Sequence, residues 1–459
     1  MSGELRLRTA AWYGDRELTL EMAAGWHVET FWPRTPPPLR PDEIAAALER
    51  PVGQPPLRSL ARGTHRPVIV CDDLTRPTPA NLVVPLALRH LEEAGISRED
   101  VTIVVGGGTH RPSGTDQLLR KVGLEAFGCR LLAHDCNRDL VRVGRTSFGT
   151  PVLLNRLVAG ADMLVGIGGV YPQHSVGFGG GSKLVLGVLG KRSIVALHYG
   201  HPSVAGTYDV DNDFRRDLDE IAELAGLRTI VTLHVDADRE VVRAVSGDHR
   251  SYYQAAVAFS REVFVAPTPL GADVVIVNAY PMDTSLTFTR SKGMAPLYQA
   301  GPGASRVLVT ACPEGLGYHG LFPFLNGPRF ERQIHQLRRL SVLRPGALPG
   351  KVRRKAGQLA SRIVSDRPRI QAVAEQDGGP APAPHPVWLH VPGLRPGLLP
   401  EDIPELRLQP AWEGILRAVR AEQAGKRQVR VVVYPCAALQ CLQWQGGERT
   451  AYLTESVAG

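Results

Sequence analysis

The sequence predicts an α/β fold of two units, each built on a mainly parallel sheet. Short runs rich in Val and Ile recur, and each ends in a polar or glycine-rich turn. Segments compatible with helices lie between them. At 459 residues the chain is also too long for one ordinary core.

In the first unit PVIVC (67–71) leads into DDLTRPTP, and VTIVV (101–105) leads into GGGTHRPS. DMLVGI (162–167) leads into GGVYPQH, and TIVTLHV (229–235) into DADREV. Runs this short and this apolar suit strands covered on both faces. Segments 79–94 and 213–226 suit the helices between them. The second unit begins with DVVIVNA (273–279) and continues with RVLVTAC (306–312), HPVWLHV (385–391) and QVRVVVY (428–434). The boundaries that follow are 1–266 and 267–459, with APTPLG (266–271) as a hinge. A basic insertion is expected around 329–385, ending in the Pro-, Gly- and Ala-rich loop 374–386. PRTPPPLRP (33–41) reads as an extended connection.

The net charge is +8, and much of the excess lies in residues 329–369. Such a run can attract nucleic acid or an anionic membrane surface. Aromatic residues for base stacking are scarce there, so a solvated face is the simpler reading and nucleic acid is not an expected partner. No apolar stretch is long enough to cross a bilayer. The first residues include Glu4 and Asp15 and lack the apolar core of a secretory signal. The six cysteines, at 71, 129, 136, 312, 436 and 441, form no C-x-x-C pair. Neither a zinc site nor a disulfide framework is expected, and a cytoplasmic location is.

The richest chemistry lies in YPQHSVGFGGGSKLVLGVLGKRSIVALH (171–198). The chain has seven Lys against 46 Arg, and one of the seven is Lys183. Arg stays protonated, whereas a Lys with a shifted pKa can act as an amine nucleophile. Glycines 177, 179, 180 and 181 allow close approach of backbone and a bound group, and His174 and His198 bracket the stretch. The phosphate-binding pattern G-x-x-x-x-G-K-[ST] fails, because Ser182 precedes Lys183 and Leu184 follows it. A nucleoside triphosphate is therefore disfavoured, although a single phosphate could be cradled.

Two further turns follow strands. Asp72, Asp73, Thr75 and Arg76 could hold a phosphate or carboxylate, or simply cap a helix start. Gly106, Gly107 and Gly108 precede His110, placing an imidazole suited to proton transfer where a ligand could reach it. In the second unit Lys292, another of the rare lysines, lies beside a helix start. His134-Asp135 reads as a turn.

These residues together resemble the nickel-dependent lactate racemase family, which comprises 2-hydroxyacid racemases and epimerases. The D-x-T-R-P turn is matched by Asp73, Thr75, Arg76 and Pro77, and the H-R-P turn by His110, Arg111 and Pro112. The G-F-x-G-G-x-K stretch is matched by Gly177, Phe178, Gly180, Gly181 and Lys183. Y-P-x-D and K-G-M are matched by Tyr280, Pro281, Asp283, Lys292, Gly293 and Met294. The likeness spans about residues 5–320.

The resemblance implies two α/β domains with the active site in the cleft between them. It implies a nickel pincer nucleotide, the nickel complex of pyridinium-3,5-bisthiocarboxylic acid mononucleotide, tethered through the amine of Lys183. Asp73, Thr75, Gly180, Gly181 and Ser182 would contact this cofactor, and His198 would complete the nickel coordination, with His201 as a second candidate. His110 and His174 would be the alternating acid and base. Arg76 and Lys292 would engage the carboxylate of a small 2-hydroxy acid, and cofactor-biosynthesis proteins would be partners. The implied reaction inverts C2 by reversible hydride transfer, avoiding a carbanion at a weakly acidic C–H.

Some positions depart from the family pattern. The spacing from His174 to the glycines, and from Lys183 to His198, is one residue shorter. Thr289 stands where the family has Gln, and no Trp occurs in 320–385. The expected substrate is therefore more polar or larger than lactate. Two other readings stay open: a non-catalytic relative that binds an anionic metabolite or nucleotide, and a nucleic-acid or membrane-surface binder using 329–369.

Overall fold

The computed structural model describes residues 3–173, 175–201, 208–321, 386–400, 403 and 405–443. His174 and the basic run at 329–369 lie outside these residues. The described chain is α/β, as the strand pattern predicts, and is built on two six-stranded sheets.

The first sheet runs, in spatial order, Val241–Gly247, Leu227–Val235, Met163–Gly169, Pro67–Asp72, Thr102–Gly106 and Arg130–Ala133. All neighbours are parallel except the Val241–Gly247 edge, which pairs antiparallel. Alternate side chains of each central strand enter opposite cores. Val68, Val70, Val104 and Leu164 face one way; Ile69, Cys71, Ile103, Val105 and Ile167 face the other. This double burial is why the runs read as nearly unbroken apolar stretches. Each buried Val or Ile contributes about 1.5–3 kcal/mol by leaving water.

The second sheet is parallel throughout. It runs Leu406–Leu408, Val387–His390, Ser305–Val309, Val274–Asn278, Val429–Tyr434 and Trp26–Thr30. Its last strand departs from the expected boundary, because Trp26–Thr30 belongs to this sheet and not to the first. Leu5, Leu7 and Leu20, from the hairpin Glu4–Thr9 and Arg16–Glu21, and Met22 just after it share its core with Val274 and Val431. Exposed alternate positions in Trp26–Thr30 weaken its apolar signal, which hid the strand from a search for apolar runs.

Residues 9–15 cross between the two sheets. Asp283 accepts from the backbone N–H of Ala10 and Ala11 at 2.8 and 3.0 Å. Trp12 donates to the Arg76 carbonyl at 3.2 Å, and Tyr13 donates to Glu314 at 2.6 Å. One short segment thus ties the turn after Pro67–Asp72 to the turns after Val274–Asn278 and Ser305–Val309. Glu314 also accepts from Gln117 at 2.6 Å, from the other side. The carboxyl ends of both sheets therefore face one another, where parallel sheets place ligands. All six cysteines are free. Among the described residues no helix is long and apolar enough to cross a membrane.

Candidate active site

The DDLTRP turn divides its two carboxylates between two tasks. Asp72 pairs with Lys121 and accepts from Thr78 at 2.8 Å, so it belongs to the framework. Asp73, nearly buried, accepts from His110 Nδ1 at 2.7 Å and from the Thr75 hydroxyl. Burial alone would raise the Asp73 pKa. His110, Arg76 and Thr75 outweigh that and hold it well below the ordinary carboxylate range. An ionised Asp73 keeps the proton of His110 on Nδ1, which leaves Nε2 as the basic nitrogen.

The glycines before His110 serve this pair rather than a ligand. A Cβ at Gly107 would stand 2.9 Å from Asp73 Oδ2 and 3.3 Å from His110 Cβ. Gly106 lies against the backbone of Gly187, with a would-be Cβ only 2.9 Å from its carbonyl carbon. These contacts lock the His110 turn onto the segment that carries Lys183.

That segment is not an open loop. Gly181–Val188 is a short 3-10 helix, and Lys183 stands in its first turn. Gly180 and Gly181 adopt φ of +73° and +57°, which disfavour a side chain. A Cβ at Gly180 would meet Val170, and one at Gly181 would meet Tyr253, so their open faces are filled by protein. Ser182 is fully buried and accepts from Arg215 at 3.3 Å. Arg215 also donates to the carbonyls of Phe178 and Gly180 and to the Tyr253 hydroxyl, clamping the helix start from beneath. The residues that the resemblance assigns to the cofactor, Asp73, Thr75, Gly180, Gly181 and Ser182, have protein contacts that hold Asp73–His110 or Lys183 in place. Arg215 carries no motif. Only its place in an amphipathic helix, Asp213–Leu224, with its side chain on the buried face, marks it.

Lys183 itself is half-buried, and among the described residues no carboxylate lies within ion-pair distance. Desolvation, then Arg76 and Arg215, pull its pKa down to about 7. Lys292 stands in the last turn of Leu286–Gly293, at a helix end rather than a start. Burial, Arg76 and Lys183 lower its pKa well below the ordinary lysine value. Arg76, Lys183 and Lys292 thus face one region, and each disfavours the charge of its neighbours. That arrangement draws in an anion.

His198 lies on the helix Lys191–Gly200. Its Nδ1 donates to the Ile194 carbonyl at 2.9 Å, which directs the Nε2 lone pair outward as in metal-bound imidazoles. Burial, together with Lys183 and Lys292, pushes its pKa down to about 4, so the ring is neutral at pH 7. His201 does not share this disposition. Its Nε2 is held by Asp217 at 2.8 Å, and its ring stacks on Phe214. Among the described residues no group of three or more His, Cys, Asp and Glu is disposed to hold a bare metal ion.

Three other expectations resolve in the structure. Thr289 is fully buried, and its hydroxyl meets that of Thr310 at 2.7 Å, so it turns into the core and not toward the cations. His134 donates to the Leu189 carbonyl at 2.9 Å, a framework contact. Tyr280 and Asp283 of Y-P-x-D hold Asp15 and the backbone of Ala10 and Ala11. One site residue carries no motif at all. His319 follows the strand Ser305–Val309 in a glycine-bounded turn, the same context that marks His110. Its ring centroid lies 5.0 Å from that of His110, and Phe288 packs edge-on against His110 at 4.5 Å. A cavity of about 220 Å³ opens beside His110, lined also by Arg111, Lys191 and Tyr318.

Residues 13–206 match the family model for the lactate racemase N-terminal domain. The lactate racemase of Lactiplantibacillus plantarum is 27% identical over 292 residues, covering 61% of this chain and 68% of that protein. The lactate racemase of Thermoanaerobacterium thermosaccharolyticum matches to the same extent. The fold is that of the lactate racemase apoprotein from the latter organism, with a TM-score of 0.67 and 21% identity over 96% of this chain and all of that one. A Thermotoga maritima protein of solved structure follows at a TM-score of 0.54, 16% identity, 89% of this chain and 99% of that one. Fold, N-terminal match and relatives agree: the chain carries a lactate racemase N-terminal domain over residues 13–206 and is lactate racemase-like in sequence and fold.

Proposed function

We propose that this protein is a racemase or epimerase of a 2-hydroxy acid other than lactate, acting by reversible hydride transfer at a nickel pincer nucleotide tethered to Lys183. One observation carries the reading. An amine with a pKa near 7, a second lysine whose pKa is also lowered, the Arg76 guanidinium and an Asp-held imidazole converge where the two sheets face each other.

The side chains present fit that cofactor. Lys183 offers an amine that is largely unprotonated near neutral pH, as amide-type bond formation requires. His198 offers a neutral imidazole whose ring is set by the Ile194 carbonyl, and a pincer complex needs only one protein ligand of this kind. When bound, the group supplies a reversible hydride acceptor. The protein supplies the rest. Arg76 and Lys292 bind the substrate carboxylate and orient C2. His110 Nε2 takes the hydroxyl proton as hydride leaves and returns it afterwards, while Asp73 stabilises the imidazolium. With Thr289 turned into the core, no amide stands at its position to meet a small substrate. Arg111 and Lys191, which line a cavity on the other side of His110, would suit a substrate more polar than lactate if it reached that far. The partners of the reading are the small hydroxy acid and the proteins that make the cofactor.

The test is inversion of C2-deuterated 2-hydroxy acids by protein co-expressed with the cofactor pathway. Hydride transfer predicts inverted product that keeps its deuterium. Inversion with washout into solvent, or binding without inversion across a broad panel, contradicts it.

A further inference from the structure

Resting on that reading, we infer that His319 binds the substrate directly, as a neutral hydrogen-bond donor to an oxygen of the 2-hydroxy or 2-oxo acid. The geometry fixes its tautomer. The backbone N–H of Leu321 donates to His319 Nδ1 at 3.2 Å. That nitrogen therefore carries no proton, and the ring proton resides on Nε2. His110 has the opposite arrangement, with its proton on Nδ1 against Asp73.

The two rings are held together from both sides of the cleft. The His110 and His319 backbones form an antiparallel bridge, and Gly320 N–H donates to the Thr109 carbonyl at 3.0 Å. A Cβ at Gly320 would stand 2.9 Å from Thr109 Cβ, so the contact needs glycine. His319 is thus the point where the second sheet delivers a side chain beside the first sheet's base. Its electrostatic neighbours are His110, His198, Arg76 and Lys292, the groups assigned to substrate and cofactor. One imidazole presents a lone pair and the other an N–H. A hydroxyl that gives up its proton while its oxygen becomes a carbonyl needs both, a base and a donor to the oxygen. His319 cannot exchange roles with His110, because a second proton on Nδ1 would oppose the Leu321 N–H.

The probe is oxamate, an isostere of the smallest 2-oxo acids, titrated calorimetrically into the full chain. H319F fills the ring's volume without the donor and should weaken binding about tenfold. H319Q retains an N–H near the Nε2 position and should stay within about threefold. Both should melt close to wild type. Wild-type binding matched by H319F overturns this inference alone, whereas a wild type that binds neither oxamate nor any of a panel of larger and more polar 2-oxo acids overturns the proposed function with it. Imidazole ¹⁵N spectra of the unmutated protein provide a check independent of variant folding. The His319 Nε2–H signal should be present and should shift on oxamate addition. An Nδ1–H tautomer, or no shift in the presence of bound oxamate, overturns the inference.

Discussion

Lys121 and Lys183 both reach the turn at 72–78, and they differ in everything but residue type. Lys121 is fully buried, yet it is saturated. It pairs with Asp72, donates to the carbonyls of Arg76 and Thr78, and lies 4.9 Å from the Trp12 ring. Lys183 is less buried and has no such partner, and its charged neighbours are mainly Arg76 and Arg215. Burial alone therefore does not make a lysine reactive. What matters is whether anions and carbonyls stabilise the ammonium or cations oppose it. One lysine fixes the turn, and the other is the amine of the proposed function.

Substitutions should separate the two roles. Lys183→Arg keeps the charge and removes the amine, so inversion should fall by more than ~10³-fold in a chiral assay of the loaded enzyme. Asp73→Asn should cost ~10²–10⁴-fold, because the amide no longer holds the proton on His110 Nδ1. Lys121→Met should act on stability instead. It leaves Asp72 buried without its counter-ion and should lower the unfolding free energy by about 3 kcal/mol in denaturant titrations. A stable Lys121→Met protein with lost inversion would break the comparison.

The pH dependence sharpens it further. The folded pKa of Lys183 lies near 7 and the unfolded value near 10.5, so the unfolded chain binds the extra proton between them. The destabilisation by Lys183 is complete below pH 7 and fades as pH rises toward 10.5. Lys183→Met should therefore raise the melting temperature of the cofactor-free protein, and by more at pH 6 than at pH 9. Equal shifts at both values would mean an ordinary surface lysine.

The central strands and the motif positions were legible because each depends on local pattern. PVIVC, VTIVV and DVVIVNA became strands buried on both faces; the turns after the first two carry Asp73 and His110, and the helix after the third carries Lys292. What stayed hidden depends on pairing across distance. Trp26–Thr30 has little apolar signal and joins its sheet only through Val429–Tyr434. Arg215 and His319 act through partners 33 and 209 residues away in sequence, Ser182 and His110, and no spacing announces such contacts. At two of the glycines of 177–181 the structure adds a packing reason that the sequence does not announce. Gly180 and Gly181 make room for Val170 and Tyr253, and so shape the start of the Lys183 helix.

The most direct test is intact mass with peptide mapping and nickel analysis of protein co-expressed with the cofactor pathway. Wild type and Lys121→Met should each carry one nickel-containing adduct, located on the peptide that holds Lys183, and Lys183→Ala should carry none. An unmodified wild type, or an adduct that persists in Lys183→Ala, would contradict the account.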